Sequence, residues 1–481
     1  MVGLIVERSL AAAGLAAAIM TASGVAAQGP IPPAPAAVAP AKVAAPPPPL
    51  TMADGEAIEH ALLEASEFPF PAELEGAARE LASPDADRRA AAENALSQAA
   101  VNLAQEEHGE LANPSDIDPN WALPGPYDAA ADFAAARADG HVVAWAQALP
   151  RRDPAYLALL GAARRYEAIR AHGGWKPLPA NLRLARGAKG AAVLALRTRL
   201  AREGYGGGAG RVFDGSLAAE LIEFQGRHGL KPTGVLTPET LAAINVPVAA
   251  RLATIQANLE RARWLPQIMP PERIEADIAG AEATLFQGGK PVLEMRTVVG
   301  DTKHETPMFA SHVSSIQFNP AWHVPADIAK AELWPKQAAS PGYFARHGYS
   351  VINGQVVQHA GPKSSLGRIK FEMPNPFSVY LHDTPGHALF AVDSRGRSHG
   401  CVRLEKPKEL AAALLSGQDW DIDRVQEAID KGDTRWVRPS QTVAVFLVYR
   451  TAQAIDDGPA IFRPDPYGWD PKLNAALAAR R

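Results

Sequence analysis

Apolar positions between Thr51 and about Ala171 recur at short helical spacings. Ile58, Leu62 and Leu63 form one set, Phe133 to Ala138 and Val142 to Ala146 two more, and Tyr156, Leu157, Leu159 and Leu160 another. Set in Ala-, Leu- and Glu-rich sequence and broken at Asn113-Pro114 and Pro124-Gly125-Pro126, they predict a helical scaffold over 51–182. Over 183–248 the stripes are cleaner. Val193, Leu196 and Leu200 share one face of a helix ending at Gly204, and Leu217, Leu221 and Phe224 share a face of a second. Thr237-Pro238-Glu239 supplies a cap, a first-turn proline and an early acid for a third helix carrying Leu241 and Ile244. This stretch predicts a three-helix bundle.

Beyond Ala249 the period changes. Ile274, Ala276 and Ile278 alternate, and Ala283 to Phe286 meets Val292 to Val299 through a Gln287-Gly288-Gly289-Lys290 hairpin. Ser378 to His382 reads as a short strand, and Thr442 to Tyr449 as a strand in the buried middle of a sheet. Pro407 to Leu415 reads as a helix. The expected fold class is multidomain α+β: helical scaffold, three-helix bundle, a mainly β domain over 249–450, and a C-terminal segment, 451–481.

Composition changes this picture at one end. Many of the 42 prolines fall within residues 30–50, so 28–50 is expected to be an extended Ala/Pro spacer. Before it, Arg8, the apolar run Leu10 to Val25 and the small residues Val25-Ala26-Ala27 read as a secretory signal over 1–27, with an uncleaved anchor as the alternative. No cysteine sits near the cleavage point, which excludes a lipoprotein, and no later segment is long and apolar enough to span a membrane. A net charge of −4 on 481 residues leaves no nucleic-acid footprint.

Cys401 is the single cysteine of the chain, and an exported protein ordinarily uses cysteines in disulfide pairs. It is either a buried apolar residue, an intermolecular link or a reactive thiol. Its surroundings, Tyr380 to Glu405 (YLHDTPGHALFAVDSRGRSHGCVRLE), favour the last. A thiol nucleophile needs a base and backbone donors for the oxyanion it creates. His382, His387 and His399 lie within twenty residues of it, and Gly400 allows a tight turn beside it.

Ser398-His399-Gly400-Cys401-Val402-Arg403, with fifteen residues between His382 and Ser398, resembles the signature of the YkuD-type L,D-transpeptidases. The resemblance extends to their large periplasmic subgroup through Asn258 to Arg261, Arg263 to Pro266, Asn319-Pro320, Lys370-Phe371 and Tyr380 to Pro385. In the bundle, Gly187, Gly190, Phe224-Gln225, Gly229-Leu230 and Gly234 resemble a peptidoglycan-binding repeat. Carried over, the resemblance makes Cys401 the nucleophile and His382 the general base. Gly400 and Cys401 become the backbone donors, and His399 either polarises the thiol or shapes the turn. Tyr380, Ser398 and Trp322 are expected at the substrate. Arg403 either orients a stem-peptide carboxylate or forms an ion pair with Glu405. Asp383 is secondary and His387 an exposed residue; about 323–365 corresponds to a capping flap, where Gly342, Gly348 and Gly354 fit a mobile lid and equally a plain surface insertion.

The implied activity is a periplasmic, wall-associated acyl transfer between peptidoglycan stem peptides, giving 3→3 crosslinks with release of D-Ala. Carbapenems should acylate Cys401, no metal or cofactor is needed, and other wall-synthesis enzymes are candidate partners. Carboxypeptidase action or attachment of a protein to the wall would use the same residues. Two rivals stand apart: a zinc amidase or peptidase, disfavoured because no H-E-x-x-H pattern occurs, and a non-catalytic wall-binding scaffold.

Overall fold

Capping residues and apolar stripes place the helices. Thr51 starts the first, Met52–Ala65, with a reciprocal cap: its hydroxyl accepts from Asp54 N while its own N–H donates to the Asp54 carboxylate. Ala86–Glu107, Ala129–Ala138 and Val142–Ala148 follow, and Ile58, Leu96, Leu103, Phe133 and Val142 make their shared core. The computed structural model describes residues 47–66, 70–123, 127–455 and 458–479, so the expected signal and most of the spacer lie outside the described residues. Leu50, counted with the spacer because of its proline neighbours, is buried in the helical core, and Arg137 donates to Pro48 O.

The bundle consists of Ala191–Arg202, Gly215–Arg227 and Pro238–Ile244. All six residues of its two stripes are fully buried, and the Thr237 hydroxyl accepts from Thr240 N as the predicted cap. A buried polar joint fastens the bundle to the preceding helix, Pro154–Ala171. Tyr166 donates to Glu203 at 3.0 Å, and Arg199 meets the same carboxylate at 2.8 Å. Val248–Arg263 leads from the bundle to the sheet domain.

One large curled sheet organises the rest. Its first member comes from the helical region: β1 (Trp121–Ala122) pairs in parallel with Met308-Phe309. The chain then runs through β2 (Arg273–Asp277), β3 (Glu282–Gln287), β4 (Lys290–Gly300), β5 (Met308–His312) and β6 (Ser315–Phe318). A three-stranded flap sheet of β7 (Trp322–His323), β8 (Tyr349–Ile352) and β9 (Gln355–Gln358) intervenes. The main sheet resumes with β10 (Ile369–Glu372), β11 (Leu381–His382), β12 (Gly396–Ser398), β13 (Val402–Leu404), β14 (Arg435–Val437) and β15 (Ala444–Val448). Its order is β1-β5-β15-β2-β3-β4-β13-β11-β10-β6-β14, with β12 on β4. As expected, β15 lies between two neighbours and β3–β4 form a hairpin.

The strand expected over Ser378 to His382 pairs only at its last two residues. Ser378 takes a left-handed φ of +55°, and the Asn375 side chain organises the turn by accepting from Phe377 N and Val379 N. Leu381, Val402, Leu404, Phe371 and Phe318 point to one face of the sheet, where the helices Pro407–Leu415 and Ile422–Asp430 cover them. The other face is left to the residues that alternate with these.

Candidate active site

β11 and β13 are parallel neighbours, so a crossover must join them; here that connection carries the loop bearing Ser398 to Cys401. The register pairs Leu381 with Val402 and His382 with Arg403, while β10 sets Lys370 opposite His382. Paired residues share a face and neighbours along a strand alternate. Lys370, His382 and Arg403 therefore form a row across three strands on the face opposite the core. Tyr380 and Cys401, each two residues back along its chain, project from the same face. The structure thus brings His382, Arg403, Tyr380 and Cys401 together.

Cys401 is half-buried, its sulfur 3.8 Å from Ser378 O. Burial pushes its thiol above the ordinary value of 9.0, opposed by the Tyr380 main chain and hydroxyl and by the Lys370 and Arg403 charges. His382 is buried and its imidazole is held down at about 3, first by desolvation and then by the Arg403 charge. Its Nδ1 makes no formed hydrogen bond, although the main chain of Asp383 and Leu366 lies near enough to oppose the shift. The resting pair is therefore a thiol and a neutral imidazole. The Tyr380 ring stands 5.6 Å from the His382 ring, edge to face, with Lys370 Nζ 4.0 Å from its own centre. The Tyr380 hydroxyl reaches both Cys401 and Trp322 of the flap, and burial raises its pKa.

The loop bearing Cys401 is braced from below. Gly400 has a φ of +100°, a conformation that side chains resist. Its carbonyl accepts from the Thr306 hydroxyl at 2.8 Å, and that hydroxyl in turn accepts from Gly300 N at 2.9 Å. Ser398, expected at the substrate, is buried instead. Its hydroxyl donates to Cys401 O at 2.6 Å and accepts from Gly400 N at 3.2 Å. The Gly400 amide is thus already engaged, whereas the Cys401 amide has no acceptor among the described residues.

The remaining candidates divide cleanly. His399 turns its Nε2 to Glu332 of the flap, 2.5 Å away, and not to the thiol. Arg403 makes no pair with Glu405, which is taken by Arg296 through side chain and main chain. That alternative is overturned because Arg296 of the neighbouring β4 occupies the Glu405 carboxylate and also accepts from Glu405 N. The Arg403 guanidinium keeps its Nε buried with no partner among the described residues. Asp383 serves the 366–368 turn, accepting from Arg368 N at 2.7 Å, and His387 is exposed. Trp322 opens the flap, whose own small core is Val324, Ala329, Leu333, Phe344 and Val356. Among the described residues no group of three His, Cys, Asp or Glu side chains is placed to hold a metal ion.

A cavity of about 410 Å³ lies elsewhere, between the scaffold and β2, β3 and β15. Its charged groups are engaged in structure: Arg273 and Arg450 share Glu275, and Arg261 holds Asp470 at 2.7 Å. Cys401, His382, Tyr380 and Arg403 are absent from its lining.

With that geometry in place, residues 271–426 match a family model described as the L,D-transpeptidase catalytic domain, YkuD. The chain carries a YkuD L,D-transpeptidase domain. Residues 189–244 match a model described as "Putative peptidoglycan binding domain", and residues 55–162 one described as a scaffold domain. A curated protein of Haemophilus influenzae strain Rd, named "Putative L,D-transpeptidase", is 32% identical over 239 residues, covering 46% of this chain and 48% of that protein. The chain thus spans about half the length of the curated relative it matches. Among solved structures, an L,D-transpeptidase of Xylanimonas cellulosilytica is 17% identical with a TM-score of 0.20, covering 56% of this chain and 100% of its own. L,D-transpeptidase 3 of Mycobacterium tuberculosis, solved with a faropenem-derived adduct, is 16% identical with a TM-score of 0.20, covering 37% and 60%. Overlaps of this size carry no weight of their own.

The sequence assigns no role at the site to Thr306, Tyr467 or Glu332. Tyr467 donates to Gly300 O at 2.7 Å and so supports the Thr306 brace of the L,D-transpeptidase loop. None of the three lies within the 380–405 segment, and their side chains meet it only through tertiary folding.

Proposed function

We propose that the protein is a cysteine acyltransferase that crosslinks peptidoglycan stem peptides. Cys401 attacks the carbonyl between the L-centre of diaminopimelate and the terminal D-Ala of a tetrapeptide stem. His382, neutral at rest, accepts the thiol proton as the sulfur–carbon bond forms and returns it to the leaving amine. D-Ala departs and a thioester remains on Cys401. The side-chain amine of a second stem then displaces the sulfur, giving a 3→3 amide and restoring the thiol. The free Cys401 amide is the donor for the oxyanion, while the Gly400 amide keeps its turn through Ser398. Arg403, whose Nε has no partner among the described residues, suits this face to a carboxylate of the stem, whereas Lys370 is already paired with Glu372 at 2.7 Å.

The observation that carries this reading is the alignment of Cys401, Tyr380, His382 and Arg403 on one face of adjacent strands beneath the flap. The bundle matching a peptidoglycan-binding model fits the same substrate. Export to the periplasm is part of the proposal, and no helix among the described residues is long and apolar enough to cross a membrane.

Intact-protein mass spectrometry after incubation with a disaccharide tetrapeptide tests it, comparing wild type with Cys401→Ala. An acyl adduct and a crosslinked dimer, both requiring Cys401, are expected. Tripeptide alone would reassign the protein as a carboxypeptidase. The absence of any adduct on folded protein, with the stem or with a carbapenem, would overturn the catalytic reading.

A further inference from the structure

Flap and nucleophile loop are joined by a contact that the chemistry above does not use. Glu332 lies in Ala329–Leu333, the one stretch among the described residues wound as a π-helix. Such turns redirect side chains and recur at functional positions. Its carboxylate accepts from His399 Nε2 at 2.5 Å across 67 residues of sequence, and Lys336 Nζ lies 3.3 Å from its other oxygen. The His399 ring stands 4.8 Å from that of His304, whose Nδ1 is 2.9 Å from Asp301. His304 and Asp301 belong to the same loop as Thr306, which holds Gly400 O. Ser398 and Gly400 are thus fixed from beneath, while the side chain between them is fixed from above by the flap.

We propose that Glu332 is a positioning residue that latches the flap to the nucleophile loop. Its kinetic consequence rests on the acyl-transfer reading, whereas the latch itself can be read without it. When the latch is made, Trp322 meets the Tyr380 hydroxyl and Cys401 is half-covered. A stem peptide entering between the flap and the Tyr380 face must part Glu332 from His399. Re-forming the contact over the bound stem returns the thiol loop to its place. Closure and placement of the nucleophile are then one event.

The full chain is tested by the rate of Cys401 alkylation with iodoacetamide at pH 8 and by deuterium uptake of residues 322–365. Glu332→Ala should alkylate about five- to tenfold faster, the scale of one lost, partly exposed charged hydrogen bond. Extra uptake should be confined to the flap. Glu332→Gln, which keeps an acceptor oxygen, should stay within about twofold of wild type. With the tetrapeptide stem, Glu332→Ala should lower kcat about tenfold and alter KM much less, because closure no longer places the thiol loop. Unchanged alkylation and uptake in Glu332→Ala would overturn the latch. If wild type transfers no acyl group while alkylation and uptake still respond, the latch stands and only the acyl-transfer reading falls.

Discussion

Cys401 should react as a thiol and not as a preformed thiolate, and its alkylation profile reads this directly. A group titrating at 9.0 is about 1% ionised at pH 7, and burial moves Cys401 above that value. His382, at about 3, is protonated in only about one molecule in 10⁴ at the same pH. Neither half of an imidazolium–thiolate pair is populated. The logarithm of the iodoacetamide rate should therefore climb with unit slope from pH 6 to pH 9, about a thousandfold in all. A preformed pair would instead give a plateau beginning near pH 4 to 5. Stopped alkylation at each pH, quantified on the Cys401 peptide, supplies the profile. Arg403→Met should slow the reaction several-fold at any fixed pH, because the Arg403 charge favours the thiolate. A rate that is flat between pH 6 and pH 8 would refute this reasoning, and His382 would then hold a charge rather than move a proton.

Other outcomes follow from the same contacts. His382→Gln should lower acylation by about 10²–10⁴-fold while leaving the protein folded, measured by adduct formation and circular dichroism. Gly400→Ala places a side chain at a φ of +100°; it should cost about 1–2 kcal/mol in urea unfolding and depress kcat. Thr306→Val leaves Gly400 O without its donor, which should cost about 1–3 kcal/mol and reduce kcat more than it alters KM. Acid should weaken the fold through His382. The unfolded imidazole takes a proton near 6.5 and the folded one only near 3, so stability present above 6.5 is lost as pH falls toward 3. The slope is at most ~1.4 kcal/mol per pH unit, and the drop in urea midpoint from pH 7 to pH 5.5 should shrink in His382→Gln. The buried His228, also lowered by desolvation, acts in the same direction and persists in that variant.

What could be read from the sequence was whatever lay close together along it. The stripes Val193-Leu196-Leu200 and Leu217-Leu221-Phe224, the Thr237 cap and the β3–β4 turn depend on neighbours a few residues away, and each appears in the structure. Ser398 to Arg403 was legible as a motif for a similar reason. The role of Ser398 was not, because a hydroxyl beside a nucleophile looks the same whether it faces a ligand or its own loop. Which arginine meets Glu405, or which acid meets His399, depends on a strand and a flap brought in from over sixty residues away. Periodicity cannot report such meetings. Leu50 was misplaced by its prolines, whose composition says nothing about one apolar side chain at the end of a tract.

The short strand β1 deserves a different kind of reading. Trp121 is fully buried, with its ring 5.6 Å from Trp264 and 5.3 Å from Trp469, so one dipeptide of the helical region is also an edge strand of the large curled sheet. A shortened version cut at residue 249 would bare the Met308–Phe309 edge and leave a hole the size of an indole. Bare edges invite pairing with other chains, so such a fragment is expected to precipitate before its chemistry can be assayed. For anyone dissecting this molecule, and for any recombination that shuffles its parts, the seam between modules is stitched shut at Trp121.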